Sequence, residues 1–244
     1  MRNIKLVLEY DGTNYAGWQR QKEFLTIQGI VEEAIHKLTG EELNIIGCSR
    51  TDSKVHARAY VCNFVTSSRI PAAKFREALN DKLPEDIVVI ESSEVDENFH
   101  SRYHSKGKMY CYTIYNSPVR SAIDRNYVYH HKGNLNIEFM EEASSYFLGT
   151  HDFSAFRKLG SSVKSTTRTI HDLRIEKIGD YIRIYISADG FLYNMARIIV
   201  GTLVEVGSGK IHPSSINEII KSKDRTKAGK SLPPQGLTLV EVYY

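Results

Sequence analysis

The chain has 244 residues, 41% of them hydrophobic, and a formal net charge of +3. That length and apolar content suffice for the core of one large or two small domains, which excludes a disordered chain, and no apolar run approaches the roughly 20 residues needed to span a bilayer. Three cysteines, Cys48, Cys62 and Cys111, without C-x-x-C spacing argue against a disulfide framework or a zinc site and fit a reducing compartment. The opening Met1-Arg2-Asn3-Ile4-Lys5 runs straight into strand-like sequence, so a soluble, cytoplasmic protein without metal is expected.

Ile4 to Tyr10 reads as a strand ending at the turn Asp11-Gly12. Ile27, Ile30, Val31, Ala34, Ile35 and Leu38 recur at helical spacing, with Thr26 placed to cap the start and Gly40 to stop the end. Two apolar runs, Leu43 to Cys48 and Ala59 to Val65, read as strands joined by a loop. Pro71 opens a second helix with Phe75, Ala78 and Leu79 on its apolar face, and Asp86 to Glu91 reads as a further strand. Strand, helix, strand, strand, helix, strand is the split βαβ succession of ferredoxin-like folds, with two helices on one face of an antiparallel sheet and the other face available.

A second round starts with Lys108 to Tyr115. Asn136 is placed to cap a helix carrying Ile137, Met140, Ala143 and Phe147, closed by Gly149. Thr167 to Ile178 and Tyr181 to Ser187, joined by Gly179-Asp180, have hairpin spacing. Phe191 to Val206 reads as a long apolar helix and Leu237 to Tyr243 as a closing strand. The expectation is an α+β protein of two ferredoxin-like (RRM-like) domains with antiparallel sheets side by side. Residues 1–104 and 105–244 would form the domains and share an active-site cleft.

Charge is distributed unevenly. Between Glu42 and Glu77 the single acid is Asp52, in Ser49-Arg50-Thr51-Asp52-Ser53-Lys54-Val55-His56-Ala57, amid Arg50, Lys54, Arg58, Arg69, Lys74 and Arg76. An anion inside a phosphate-binding stretch weakens that binding, so Asp52 either neutralises a neighbouring Arg or performs chemistry. Arg102, Lys106, Lys108 and Arg120 form a second acid-free run, interleaved with Tyr103, Tyr110, Tyr112 and Tyr115, and Arg157, Lys158, Lys164 and Arg168 a third. Cations mixed with flat rings suit RNA, although tyrosines in strands and cations on solvated faces give the same pattern.

Six segments, in order, resemble the tRNA pseudouridine synthase A family over essentially the whole chain. They are Tyr10 to Gln21 (YDGTNYAGWQRQ), Arg50-Thr51-Asp52 with Val55-His56-Ala57, and Phe99-His100-Ser101-Arg102 with Lys108 to Tyr112. Gly149 to Phe153 with Arg168-Thr169-Ile170, Phe191 to Arg197 with Gly201, and Pro234 to Leu237 complete the set. The resemblance implies that Asp52 is the catalytic aspartate in conversion of uridine to pseudouridine, acting at the base or at the sugar without a cofactor. It nominates Arg197 to keep that carboxylate ionised, and Tyr110 to stack on the target base and accept a proton. Arg50, Lys54, Arg58 and Arg20 are the cations expected at the RNA, Arg50 where a flipped nucleotide leaves its stack. His56 is read as holding the loop.

The family's usual targets are uridines at about positions 38 to 40 of the tRNA anticodon arm, recognised largely by shape, and its members act as homodimers. This chain departs by having Ser49 before the motif and Ser53-Lys54 where Ala-Gly is usual. Loss of that Gly removes a residue tolerant of positive φ, so the backbone after Asp52 is expected to differ. A paralogue acting on another tRNA or rRNA uridine, a non-catalytic RNA-binding or tRNA-folding module, and a hydrolytic N-glycosidase are the rival readings.

Overall fold

A computed structural model of the chain describes residues 1–158, 160 and 163–244. It is a mixed α+β protein whose described strands pair mostly antiparallel, with five α-helices among the described residues. Two compact units make it up: residues 1–106 together with 238–244, and residues 107–237. Residues 238–244 cluster with the first unit, where the last strand pairs with a strand of that unit.

In the first unit, β1 (Arg2–Tyr10), α1 (Ile27–Thr39), β2 (Ile46–Gly47), β3 (His56–Thr66), α2 (Phe75–Asn80) and β4 (Ile87–Val95) follow the expected succession. β1 lies between β4 and β3, antiparallel to both, and β2 is antiparallel to β3 on its far side. The register puts Ile4, Leu6 and Leu8 opposite Phe64, Cys62 and Tyr60, so a period of two gives one apolar face. All six are buried under Ile27, Val31 and Ile35 of α1 and Phe75 and Leu79 of α2. Thr26 accepts the Gly29 N–H at the start of α1, and Gly40 takes the left-handed backbone (φ +75°) that ends it.

Two elements are shorter than their apolar runs. β2 is two residues rather than Leu43 to Cys48, and Pro71 opens a 3-10 turn, Ala72–Lys74, before the six-residue α2. Part of the opposite sheet face is covered. Asn3 and Asn63, buried side by side, bind the segment 96–101: Asn3 donates to the Asp96 and Phe99 carbonyls (3.0 and 2.9 Å), and Asn63 accepts the Ser101 N–H (2.9 Å).

In the second unit, β5 (Gly107–Asn116) pairs with β6 (Tyr129–His131), and α3 (Ile137–Ser145) follows, capped by Asn136. β7 (Gly149–Asp152), β8 (Thr167–Ile178) and β9 (Tyr181–Ala188) continue the sheet in the order β5-β9-β8-β7, all antiparallel. Gly149 (φ +91°) starts β7 rather than closing the helix, which ends at Ser145. α4 (Met195–Gly207) begins four residues later than its apolar run, because Phe191 to Asn194 form a turn with Asn194 at φ +61°. α4 is buried almost all round, as its composition requires. α5 (Ser215–Ser222) was not anticipated, although Ile216, Ile219 and Ile220 have helical spacing and are buried. β10 (Leu237–Tyr243) runs parallel to β3, pairing Thr238 with His56 and Leu239 with Ala57.

Candidate active site

Asp52 lies half-buried on the loop from β2 to β3. Its neighbours alternate between anchors and cations: Thr51, Val55 and His56 are buried, while Arg50, Ser53 and Lys54 are exposed. The anchors are held by the Tyr10 to Gln21 segment. The Thr51 hydroxyl is 2.8 Å from that of Tyr10, and the Thr51 carbonyl accepts the Trp18 N–H at 3.2 Å. The Tyr15 carbonyl accepts both the Ser53 hydroxyl (3.1 Å) and the Lys54 N–H (3.2 Å). The Asp52 carbonyl accepts the Val55 N–H (3.2 Å), closing the turn.

Glycines in that segment are there for space. A Cβ on Gly12 would stand 2.1 Å from the Val55 carbonyl oxygen, and one on Gly17, at φ +93°, 2.4 Å from that of Thr51. Further anchoring comes from Tyr60, which donates its hydroxyl to the Ser49 carbonyl and stacks on Trp18 with ring centroids 4.0 Å apart. Burial pushes the Tyr60 phenol well above its ordinary value, so it remains a donor throughout the physiological range.

His56 Nδ1 lies 3.0 Å from the Gly12 N–H and 3.0 Å from an Asp11 carboxylate oxygen. The backbone N–H can only donate, so Nδ1 accepts it, while the Asp11 oxygen is already held by the Thr13 N–H and hydroxyl. These contacts tie the loop to the Tyr10 to Gln21 segment, the role expected of His56.

The position of the lost glycine keeps the backbone that glycine favours. Lys54 itself takes the left-handed conformation, at φ +65°. Holding a side chain there costs about 1–2 kcal/mol. Part of that is returned when Gly's greater freedom in the unfolded chain is counted. Lys54→Gly is therefore expected to raise stability by about 0.5–1 kcal/mol, read as a higher midpoint of denaturant unfolding at unchanged slope.

The other expected cations have uneven surroundings. Arg58 on β3 is exposed and 3.8 Å from Glu9, an exposed pair worth little. Arg20 donates to Glu32 at 3.0 Å, and that carboxylate is buried and also accepts the Gln28 amide (2.8 Å) and the Ile45 N–H (3.1 Å). Arg20 thus ties the end of its segment to α1. The groove beside it, about 500 Å³, is lined by Glu32, Glu33 and Glu42 as well as Arg20, a poor match for phosphate. Glu32 is the residue that sequence reasoning missed. Its signal was a Gln28–Glu32 pair at i,i+4 beside the apolar stripe of α1.

In the second unit, Tyr110 on β5 is buried and meets Phe191 edge to face, with centroids 4.9 Å apart. Arg197 is half-buried on the first turn of α4. It donates through Nε to the Leu232 carbonyl (2.7 Å) and through Nη1 to the Asn194 side-chain oxygen (3.1 Å). Tyr112 donates to the neighbouring Pro233 carbonyl at 2.7 Å. Burial drives its phenol well above the ordinary value, with the Arg197 charge pulling the other way. The Pro234 to Leu237 block is read here too, since a Cβ on Gly236 would collide with the Tyr112 ring at 2.7 Å. The Arg197 guanidinium is thus held by the Leu232 backbone carbonyl and the Asn194 side chain.

Each unit thus holds its share of the expected residues in a built environment: Asp52, Arg50 and Lys54 on one loop, and Tyr110 and Arg197 on β5 and α4. Among the described residues no group of three or more His, Cys, Asp or Glu is placed to hold a metal ion, and no helix is long and apolar enough to cross a membrane. The three cysteines are buried and form no disulfide.

Comparison with known proteins gives a consistent result. The family described as tRNA pseudouridine synthase matches residues 6–104 and 143–244. The chain is 59% identical to tRNA pseudouridine synthase A 2 of Clostridium perfringens. It is 56% identical to the tRNA pseudouridine synthase A proteins of Clostridium acetobutylicum and of Acetivibrio thermocellus. Each alignment runs over 244 residues and covers 100% of both chains. With the family model covering the loop of Asp52 and the start of α4, and the full-length relatives spanning β5 as well, the chain belongs to the tRNA pseudouridine synthase A family.

Proposed function

We propose that this protein is an isomerase that converts uridine to pseudouridine in the anticodon arm of tRNA, with Asp52 as nucleophile. The observation that carries the reading is the Asp52 loop: a half-buried carboxylate among exposed cations, with the residues on either side locked to the Tyr10 to Gln21 segment. Preorganisation of that kind is what a reacting group needs and what a surface ion pair does not. In the reaction the N1–C1′ bond breaks, the base turns, and C5 bonds to C1′. The C5 proton leaves and N1 gains one, so atoms balance without a cofactor. Asp52 bonds covalently to base or sugar during the exchange, Tyr110 stacks on the base and accepts the proton, and Arg197 supplies the positive charge that the family resemblance implies. Arg50, Lys54 and Arg58 contact the RNA, and Arg20, held by Glu32 beside an acidic groove, is the least suited of the four expected cations.

The strand order β4-β1-β3-β2 supports reading the first unit as ferredoxin-like. The succession β5, α3, β8, β9, α4 supports a second such motif. We place the protein in the cytoplasm as a homodimer, as its family resemblance implies.

The test is to incubate the purified protein with unmodified tRNA transcripts and map pseudouridine by carbodiimide-dependent primer-extension stops. New stops in the anticodon arm without free uracil are expected. Stops elsewhere would move the target and keep the chemistry, and uracil with abasic RNA would replace isomerisation by hydrolysis. Light scattering of the same preparation is expected to give twice the chain mass, and the chain mass itself would refute the dimer.

A further inference from the structure

We propose that Tyr103, displayed with His100 and Arg102 on the turn 100–104, is a stacking platform for an unpaired base of the tRNA, separate from the residues assigned to the isomerisation. This rests on tRNA being the substrate. A tyrosine that serves the core has its ring inside, as Tyr60 and Tyr112 do, whereas Tyr103 is 75% exposed and lies on no strand. Its ring is nonetheless placed. The His100 imidazole lies beside it, with centroids 4.2 Å apart and planes at 32°, and the Arg102 guanidinium carbon is 5.9 Å from its centroid.

The turn that carries these groups is bolted down at one residue. Ser101 is fully buried: its N–H donates to Asn63 (2.9 Å), its hydroxyl to the Ile46 carbonyl (2.5 Å), and its carbonyl accepts the Tyr244 hydroxyl (2.6 Å). His100 Nδ1 then receives the N–H groups of Arg102 and Tyr103, both at 3.2 Å, and the His104 N–H donates to the His100 carbonyl at 3.0 Å. The result is a rigid mount with an aromatic face turned to solvent.

The surroundings favour a nucleobase over an apolar partner. Arg102 and Lys106 stand on the turn and just after it, and there is no acid from Asn98 through Ile123. A flat π-face with adjacent cations matches a splayed base and its phosphate. Because the base is held by its face, the platform tolerates any of the four bases.

Binding to an unmodified tRNA transcript separates the possibilities, measured by filter retention in the Asp52→Asn protein so that no turnover intervenes. Tyr103→Ala is expected to weaken binding about tenfold, the scale of one stacked base, while Tyr103→Phe and Tyr103→Trp stay within about threefold of the parent. The indole introduced by Tyr103→Trp is expected to be quenched by tRNA and not by a blunt RNA duplex. Unaltered binding by Tyr103→Ala, equal losses for Phe and Ala, or an indole unaffected by tRNA would each overturn the platform. Wild-type isomerisation is scored separately: tight binding without pseudouridine sinks the enzymatic reading and leaves the platform standing.

Discussion

Asp52→Asn is expected to abolish pseudouridine formation, with kcat falling by at least about 10³-fold, while tRNA still binds and the thermal midpoint moves little. Asn has the shape of Asp and cannot act as a carboxylate nucleophile. The Thr51 hydroxyl and carbonyl, the Ser53 hydroxyl and the Lys54 N–H all hold the loop, and the substitution leaves these contacts in place. Single-turnover conversion of a tritiated uridine tRNA measures the chemical step directly. Retention of the wild-type rate would reduce Asp52 to a structural ion partner of its cationic neighbours and move the nucleophile's role to another group.

The second large effect is on stability and reaches the site through the backbone. Gly17→Ala is expected to cost about 3 kcal/mol, combining a side chain at φ +93° with a Cβ pressed to 2.4 Å from the Thr51 carbonyl oxygen. In a chain of this size that lowers the thermal midpoint by roughly 6–12 °C. The colliding atom belongs to the residue before Asp52, so relief of the clash displaces the carboxylate, and a shift on the order of 1 Å costs about 10²-fold in rate. Gly40→Ala is the control. It also sits at positive φ (+75°), but a Cβ there meets nothing within 4 Å among the described residues. It should lose about 1 kcal/mol and no kcat. Equal losses of activity in the two variants, measured well below their unfolding temperatures, would contradict transmission through Thr51.

The elements legible in the sequence are those whose local signals agree. α1 carries an apolar period, a Thr cap and a Gly stop, and all three act as read. The β8–β9 hairpin forms around Gly179-Asp180, with Gly179 at φ +58°. Where signals conflict, packing decides. The apolar run Leu43 to Cys48 has strand composition, yet only Ile46 and Gly47 pair with β3, because Ile45 gives its N–H to the Glu32 side chain instead. Phe191 to Asn194 share the apolar character of α4 and still stand outside it, with Tyr110 taking the Phe191 ring and Asn194 left-handed at the helix start.

The sequence alone determined the chemistry-bearing residue types and their order, because Asp52 is the sole acid in its basic stretch and motif order survives any fold. It also determined the succession of strands and helices in the first half, since side-chain periodicity is a local property. Tertiary structure decided what each motif residue is for. That Gly12 and Gly17 make room for the Asp52 loop, that Lys54 keeps a left-handed backbone without glycine, and that Ser101 anchors an exposed tyrosine are facts about distant segments meeting. Such meetings are set by close packing and by hydrogen bonds between residues tens of positions apart, which no local pattern records.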